Sequence, residues 1–271
     1  MNFRFFWVSF SLIMIGCSSP ASEKSAVIDS SISHDANYNE SIATLLQQAV
    51  DSPNNPSLQQ KLFNSLDSAG LYSTAIQHLN LLLKNDSLNE QLWYQKGYFS
   101  ERIKDTTAAL QFYGYANKIY PTPRALLSMA NLFAEKKDTA AIGICNNLLV
   151  MYPGKDYLPD VLFIKGVYYA RIGNTIKATE YFDNCIYSNY RYLEAYMEKA
   201  FILYDKKQIQ AALTIFATVL KLDPLYPDGY YWQAKCFEQI GKNDSAIINY
   251  QKALTLDSSL TEASLAIKKL N

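Results

Sequence analysis

Six alanines set the frame of this chain: Ala75, Ala109, Ala141, Ala178, Ala212 and Ala246 recur at intervals of 34, 32, 37, 34 and 34 residues. Four residues after each comes an apolar or soft side chain, in order Leu79, Tyr113, Cys145, Phe182, Phe216 and Tyr250. Three further on stand Leu82, Ala116, Leu148, Cys185, Val219 and Ala253. Steps of four and three return to one face of an α-helix. A second set lies twelve residues before the alanines: Phe63, Gly97, Met129, Gly166, Ala200 and Ala234. Its apolar neighbours mark another amphipathic helix, as with Trp93 and Leu162 before the glycines and Leu132 and Leu203 after Met129 and Ala200.

Between the two sets, five residues before each alanine, stand Gly70, Lys104, Lys136, Gly173, Lys207 and Gly241. Glycine there suits a tight turn with positive φ. Pro121, Pro153 and Pro224 follow the alanines by twelve and close the second helix. The unit is helix, tight turn, helix, stop. Its small residues allow two antiparallel helices to approach, so Gly97 is expected to face Ala109, and Gly166 to face Ala178.

The copies LWYQKGYFSERIKDTTAALQFYGYANKIYP and YYWQAKCFEQIGKNDSAIINYQKALTLD resemble the tetratricopeptide repeat, a unit of 34 residues. The resemblance implies an all-α fold, a right-handed α-solenoid of six helix hairpins over residues 56–259. A capping helix is expected over 41–55 and another over 260–271, where Lys268 and Lys269 suit the solvated outer face that a terminal repeat needs. The third unit is the least regular, with Met129 and Cys145 at core positions. The added residues near Gly154–Leu158 predict a local change of pitch before the fourth.

In such proteins the first helices line a groove for a partner. Carried over, that groove takes Tyr94, Tyr98, Glu101 and Arg102 from the second unit and Leu126, Ala130 and Phe133 from the third. The fourth gives Phe163, Val167 and Arg171, the fifth Met197, Phe201, Tyr204 and Asp205, and the sixth Tyr231, Lys235 and Glu238. Aromatic anchors beside a few charges have the composition of a binding hot spot. The expected ligand is a protein or peptide segment; a glycan, on whose rings tyrosines stack, is the alternative.

The N-terminus reads as an address. Arg4 precedes an apolar run over 5–15, too short for the roughly 20 residues of a membrane span. Met14-Ile15-Gly16-Cys17 resembles the lipobox of bacterial lipoproteins, which implies a signal peptide over 1–17, a lipid on Cys17 and a place in the cell envelope. No Asp follows the cysteine, which by the same resemblance points to the outer membrane, facing the periplasm. Residues 18–40, rich in Ser, Ala and Asn, are expected to be a flexible tether reaching roughly 25 Å.

Composition narrows the function further. Lys plus Arg and Asp plus Glu both number 25, so the neutral chain lacks the electrostatic footprint of a nucleic-acid binder. No phosphate-cradling loop, CxxC or HExxH is present. The two histidines, His34 and His78, have no neighbours that would make a metal or nucleophile site. No catalytic residue, metal or cofactor is expected. Cys145, Cys185 and Cys236 read as buried small hydrophobes.

Overall fold

A computed structural model describes residues 36–154 and 156–270. The signal segment, Cys17, His34 and the tether up to residue 35 lie outside the described residues. Every regular element among the described residues is an α-helix. They fall into two compact units that divide after Leu71.

In the first unit, α1 (Ala36–Asp51) packs on α2 (Pro56–Ser68). Helix α1 starts five residues before the expected cap of 41–55, so the end of the expected tether is helical. The Gln59 side chain ties the two helices by donating to the Ala49 carbonyl at 2.8 Å.

The second unit opens with α3 (Tyr72–Asn85). The hairpins follow: α4 (Glu90–Arg102) with α5 (Thr106–Ile119), and α6 (Pro123–Glu135) with α7 (Ala140–Met151). Next come α8 (Leu158–Arg171) with α9 (Thr175–Ser188), α10 (Leu193–Asp205) with α11 (Ile209–Leu222), and α12 (Pro227–Gln239) with α13 (Asn243–Leu256). A last helix, α14 (Thr261–Leu270), packs on α13. The all-α reading therefore holds: this unit is a solenoid in which each hairpin stacks on the next.

One turn chemistry recurs. Gly70, Lys104, Lys137, Gly173, Lys207 and Gly241 all adopt positive φ, between 62° and 86°. At Gly173, its N–H bonds the Ala170 carbonyl at 3.0 Å and the next N–H bonds Tyr169 at 2.9 Å, which satisfies the last carbonyls of α8. Asn174 then caps α9 by accepting from the Lys177 N–H at 3.1 Å, as Asp105 caps α5. One residue thus ends one helix and starts the next.

The α6–α7 hairpin departs from this. Its left-handed residue is Lys137, not the expected Lys136. Helix α7 has 12 residues where α5, α9, α11 and α13 each have 14. The interval from Ala109 is two residues short of 34: one is lost after the turn, where Lys137 precedes Ala141 by four residues instead of five, and one before it. Asp138 reaches only to Ala140, two residues on, at 2.8 Å, and Thr139 makes no cap bond. Beyond this hairpin, α8 packs more extensively on α6 than on α7, whereas α10 packs mainly on α9. The irregular spacing thus coincides with a changed stacking contact.

The alanines are the seam of the core: Ala75, Ala109, Ala141, Ala178, Ala212 and Ala246 are fully buried. In two of the hairpins the small residue of the first helix, a glycine, lies directly against a ring. A Cβ on Gly97 would sit 2.5 Å from the Tyr113 ring, and one on Gly166 would sit 2.5 Å from Phe182. The ring four residues past the alanine fills the space that glycine leaves open, so in these hairpins the glycine admits a core ring as well as a close helix approach.

Cys145, Cys185 and Cys236 are free and buried, and desolvation pushes each thiol up to about 12. They are inert apolar filler at ordinary pH. His78 is also buried, and desolvation pushes its pKa down to about 4, so it is neutral at pH 7.

Candidate partner-binding wall

The first helices α4, α6, α8, α10 and α12 carry every side chain expected for the groove. Tyr94, Tyr98, Phe133, Phe163, Arg171, Phe201, Tyr204 and Tyr231 are all half-buried, and Arg102 is exposed. Leu126, Ala130, Val167 and Met197, read as groove positions, are buried in the core instead. The wall is therefore not a stripe of rings standing in water. Each ring has one face on the protein.

In α4, Tyr94 packs on the Tyr113 ring with centroids 5.3 Å apart, and the Arg124 guanidinium lies 4.4 Å above it. Arg124 is held there by Glu90 at 2.8 Å. Tyr98 packs edge-on against Phe99 at 5.2 Å. Arg102 donates to the Tyr72 hydroxyl at 2.7 Å and lies over that ring. In α6, Phe133 packs on the central core cluster. In α8, Phe163 contacts Phe182 at 5.9 Å and Tyr192 at 5.1 Å.

Arg171 is fully engaged. It donates to both oxygens of Glu135, at 2.7 and 2.9 Å, and to both oxygens of Glu198, at 3.0 and 2.8 Å. Hydrogen bonding to Glu198 raises its pKa still further, so it is permanently charged. Two carboxylates already neutralise it, and it links α6, α8 and α10 rather than offering a positive charge to a partner carboxylate.

The largest gathering of rings is at α10 and α12. Trp232 stands 4.7 Å from Phe201, 5.5 Å from Tyr204, 5.7 Å from Tyr231 and 6.3 Å from Phe216. Trp232 was not among the expected groove residues, because it follows Tyr231 at a position outside the carried-over pattern. Aromatic clusters of this kind gain about 0.5–1.5 kcal/mol per pair beyond area burial. With its half-buried rings, the cluster is the best aromatic surface of the wall.

Glu101 and Glu238, also read as groove residues, have a structural duty. The buried Tyr113 hydroxyl donates to Glu101 at 3.0 Å, and the Tyr250 hydroxyl donates to Glu238 at 2.9 Å. Burial, reinforced by these carboxylates, pushes both phenols well above their ordinary range. Phe182 and Phe216 occupy the same register without a hydroxyl, and there the residue twelve upstream is Ala170 or Tyr204. The signal was legible in the repeats: an acid appears where the core ring is tyrosine.

A stack of helix hairpins with this turn and this small-residue seam is similar to the fold of tetratricopeptide-repeat proteins. Residues 191–260 match the family described as tetratricopeptide repeat. Over 71 residues the chain is 30% identical to tetratricopeptide repeat protein 1 of Schizosaccharomyces pombe, a stretch that is 25% of this chain and only 7% of that protein. A tetratricopeptide repeat protein from Parabacteroides merdae superposes with a TM-score of 0.69 at 14% identity, covering 87% of this chain and 93% of that one. Yeast Tom70 superposes with a TM-score of 0.60 at 16% identity, covering 87% of this chain and 58% of that one. Residues 191–260 thus match the tetratricopeptide repeat in sequence, and over most of its length the chain shares the fold of such proteins.

Proposed function

We propose that this chain is a non-catalytic scaffold of the bacterial envelope, anchored by a lipid on Cys17, that grips a protein segment against its first-helix wall. The observation that carries the reading is the cluster of Phe201, Tyr204, Tyr231 and Trp232, which presents half-buried rings at one place on the wall. Aromatic side chains with one face already fixed lose little entropy on binding and make strong anchors. Tyr94, Tyr98, Arg102, Phe133, Phe163 and Arg171 extend the wall on the same set of helices. Of these, Arg171 organises its neighbours and the rings supply contact area.

Two measurements test this reading. Affinity purification from native membranes is run with wild type and with a Phe201→Ala/Trp232→Ala variant. The variant is expected to lose the protein partner while keeping its helical circular dichroism. Equal recovery of the partner removes the wall from the reading. Labelled palmitate is expected to enter the wild-type chain and not Cys17→Ser, which would leave the membrane fraction. A Cys17→Ser chain that stays membrane-bound overturns the anchor.

A further inference from the structure

A groove of about 360 Å³ lies between α11 and α12, away from the carried-over wall positions. Its existence follows from the repeat register. At the two preceding junctions a lysine of the first helix bridges the groove by reaching back to the preceding second helix. Lys165 of α8 donates to Asn146 of α7 at 2.7 Å, and Lys199 of α10 pairs with Asp183 of α9. In register, the next pair is Gln233 of α12 and Ala217 of α11. A methyl cannot accept a hydrogen bond, so no strap forms, and both residues line an open groove.

The groove combines apolar side chains with the neutral polar Gln210, Thr214, Thr218 and Gln233, and its charged residues are cations. Leu213, Phe237 and Ile240 supply the apolar surface, and Ile240 is 40% exposed. Lys221 and Lys242 are the charged residues of the lining, which contains no carboxylate among the described residues. Neither ammonium makes an ion pair there. Lys242 also stands where Asp105 and Asn174 cap their helices, and it makes no side-chain cap to α13. The positive end of the α13 dipole adds to Lys242 at one end of the groove, and Lys221, at the C-terminus of α11, stands at the other end.

We propose that this groove docks an acidic amphipathic segment of a partner protein, with apolar side chains on Leu213, Phe237 and Ile240 and carboxylates at Lys221 and Lys242. Charge complementarity selects the occupant: a trough whose charged lining residues are both cations disfavours a basic segment and favours an acidic one. The site is independent of the aromatic wall, so either can fail alone.

The test uses the full chain and two fluorescein-labelled helical peptides, one of Leu and Glu and one with Lys in place of each Glu, followed by anisotropy. The Leu–Glu peptide is expected to bind and the Leu–Lys peptide to bind at least tenfold more weakly. Ala217→Asp with Gln233→Lys copies the Asp183–Lys199 strap and is expected to weaken Leu–Glu binding at least tenfold. Lys221→Glu with Lys242→Glu, both on the surface, is expected to do the same and to reverse the preference between peptides. Tyr94→Ala, on the wall, is expected to leave binding within twofold. Absence of binding to wild type, equal binding of the two peptides, or undiminished binding to the charge-reversed variant overturns the proposal.

Discussion

Hairpin α4–α5 and the α10–α12 region hold the same kind of rings and use them differently. Around α4, the chain covers its own aromatic faces with its own cations: Arg124 lies 4.4 Å from the centre of Tyr94, and Lys96 lies 4.1 Å from Phe112 and 5.1 Å from Trp93. Among the described residues, no such cation lies over Phe201, Tyr231 or Trp232, which pack on one another instead. A ring already capped by a guanidinium has spent its π-face. The lesson is that aromatic content in a repeat protein does not report binding surface. What matters is whether the next repeat brings a cation or another ring.

The largest expected effect separates the two regions directly. Trp232→Ala should weaken partner binding by about 2 kcal/mol or more, in the range of an aromatic hot spot. Tyr94→Ala should change it by less than about 0.5 kcal/mol, because Arg124 already occupies that face. Calorimetric titration with the purified partner measures both. Similar losses for the two variants would break the comparison.

The packing beneath the rings differs as well. Ala200 carries a methyl where Gly97 has none, and among the described glycines only Gly97 and Gly166 would meet a core ring at 2.5 Å with an added Cβ. Gly97→Ala must push the buried Tyr113 ring aside and is expected to destabilise by about 1–3 kcal/mol. A thermal midpoint within a degree of wild type would refute that contact. The hydroxyl of the same ring makes a smaller contribution. Glu101→Ala removes the acceptor of the buried Tyr113 hydroxyl, leaving it Ser128 as a side-chain partner, and should cost about 1 kcal/mol. The double variant with Tyr113→Phe should recover part of that loss, since Phe216 fills the same register without an acceptor. Urea midpoints of the two singles and the double complete the cycle.

The hairpins were readable because the alanine ladder reports helix–helix distance, which few other residues could satisfy. Five of the six expected turn residues have positive φ. The exception, Lys136 in place of Lys137, arose because spacing counted back from Ala141 cannot tell on which side of the turn a residue was lost. The wall was readable as a set of helices, and less so as a surface. Val167 and Met197 share the groove register yet are buried, and Arg171 is consumed by Glu135 and Glu198. Trp232 has no equivalent ring at its register, where α4 has Gln95 and α8 has Ile164, so periodicity could not flag it. These outcomes depend on side chains some thirty residues away, which a one-repeat pattern does not contain.

The turns sharpen the same contrast at the smallest scale. Lys104 and Lys207 hold φ of 65° and 62° with a full side chain, while Gly173 and Gly241 meet the requirement without a Cβ. Nothing lies within 4 Å of a Cβ built on Gly241, so Gly241→Ala tests backbone strain alone and should destabilise by about 1 kcal/mol. Lys207→Gly should relieve the same strain, but it also loosens the unfolded chain, which limits the gain to less than about 1 kcal/mol. Opposite signs in the two denaturation midpoints would show that the lysines are held left-handed by the turn's hydrogen bonds. Two shifts of the same sign would mean that the lysine side chain contributes contacts of its own.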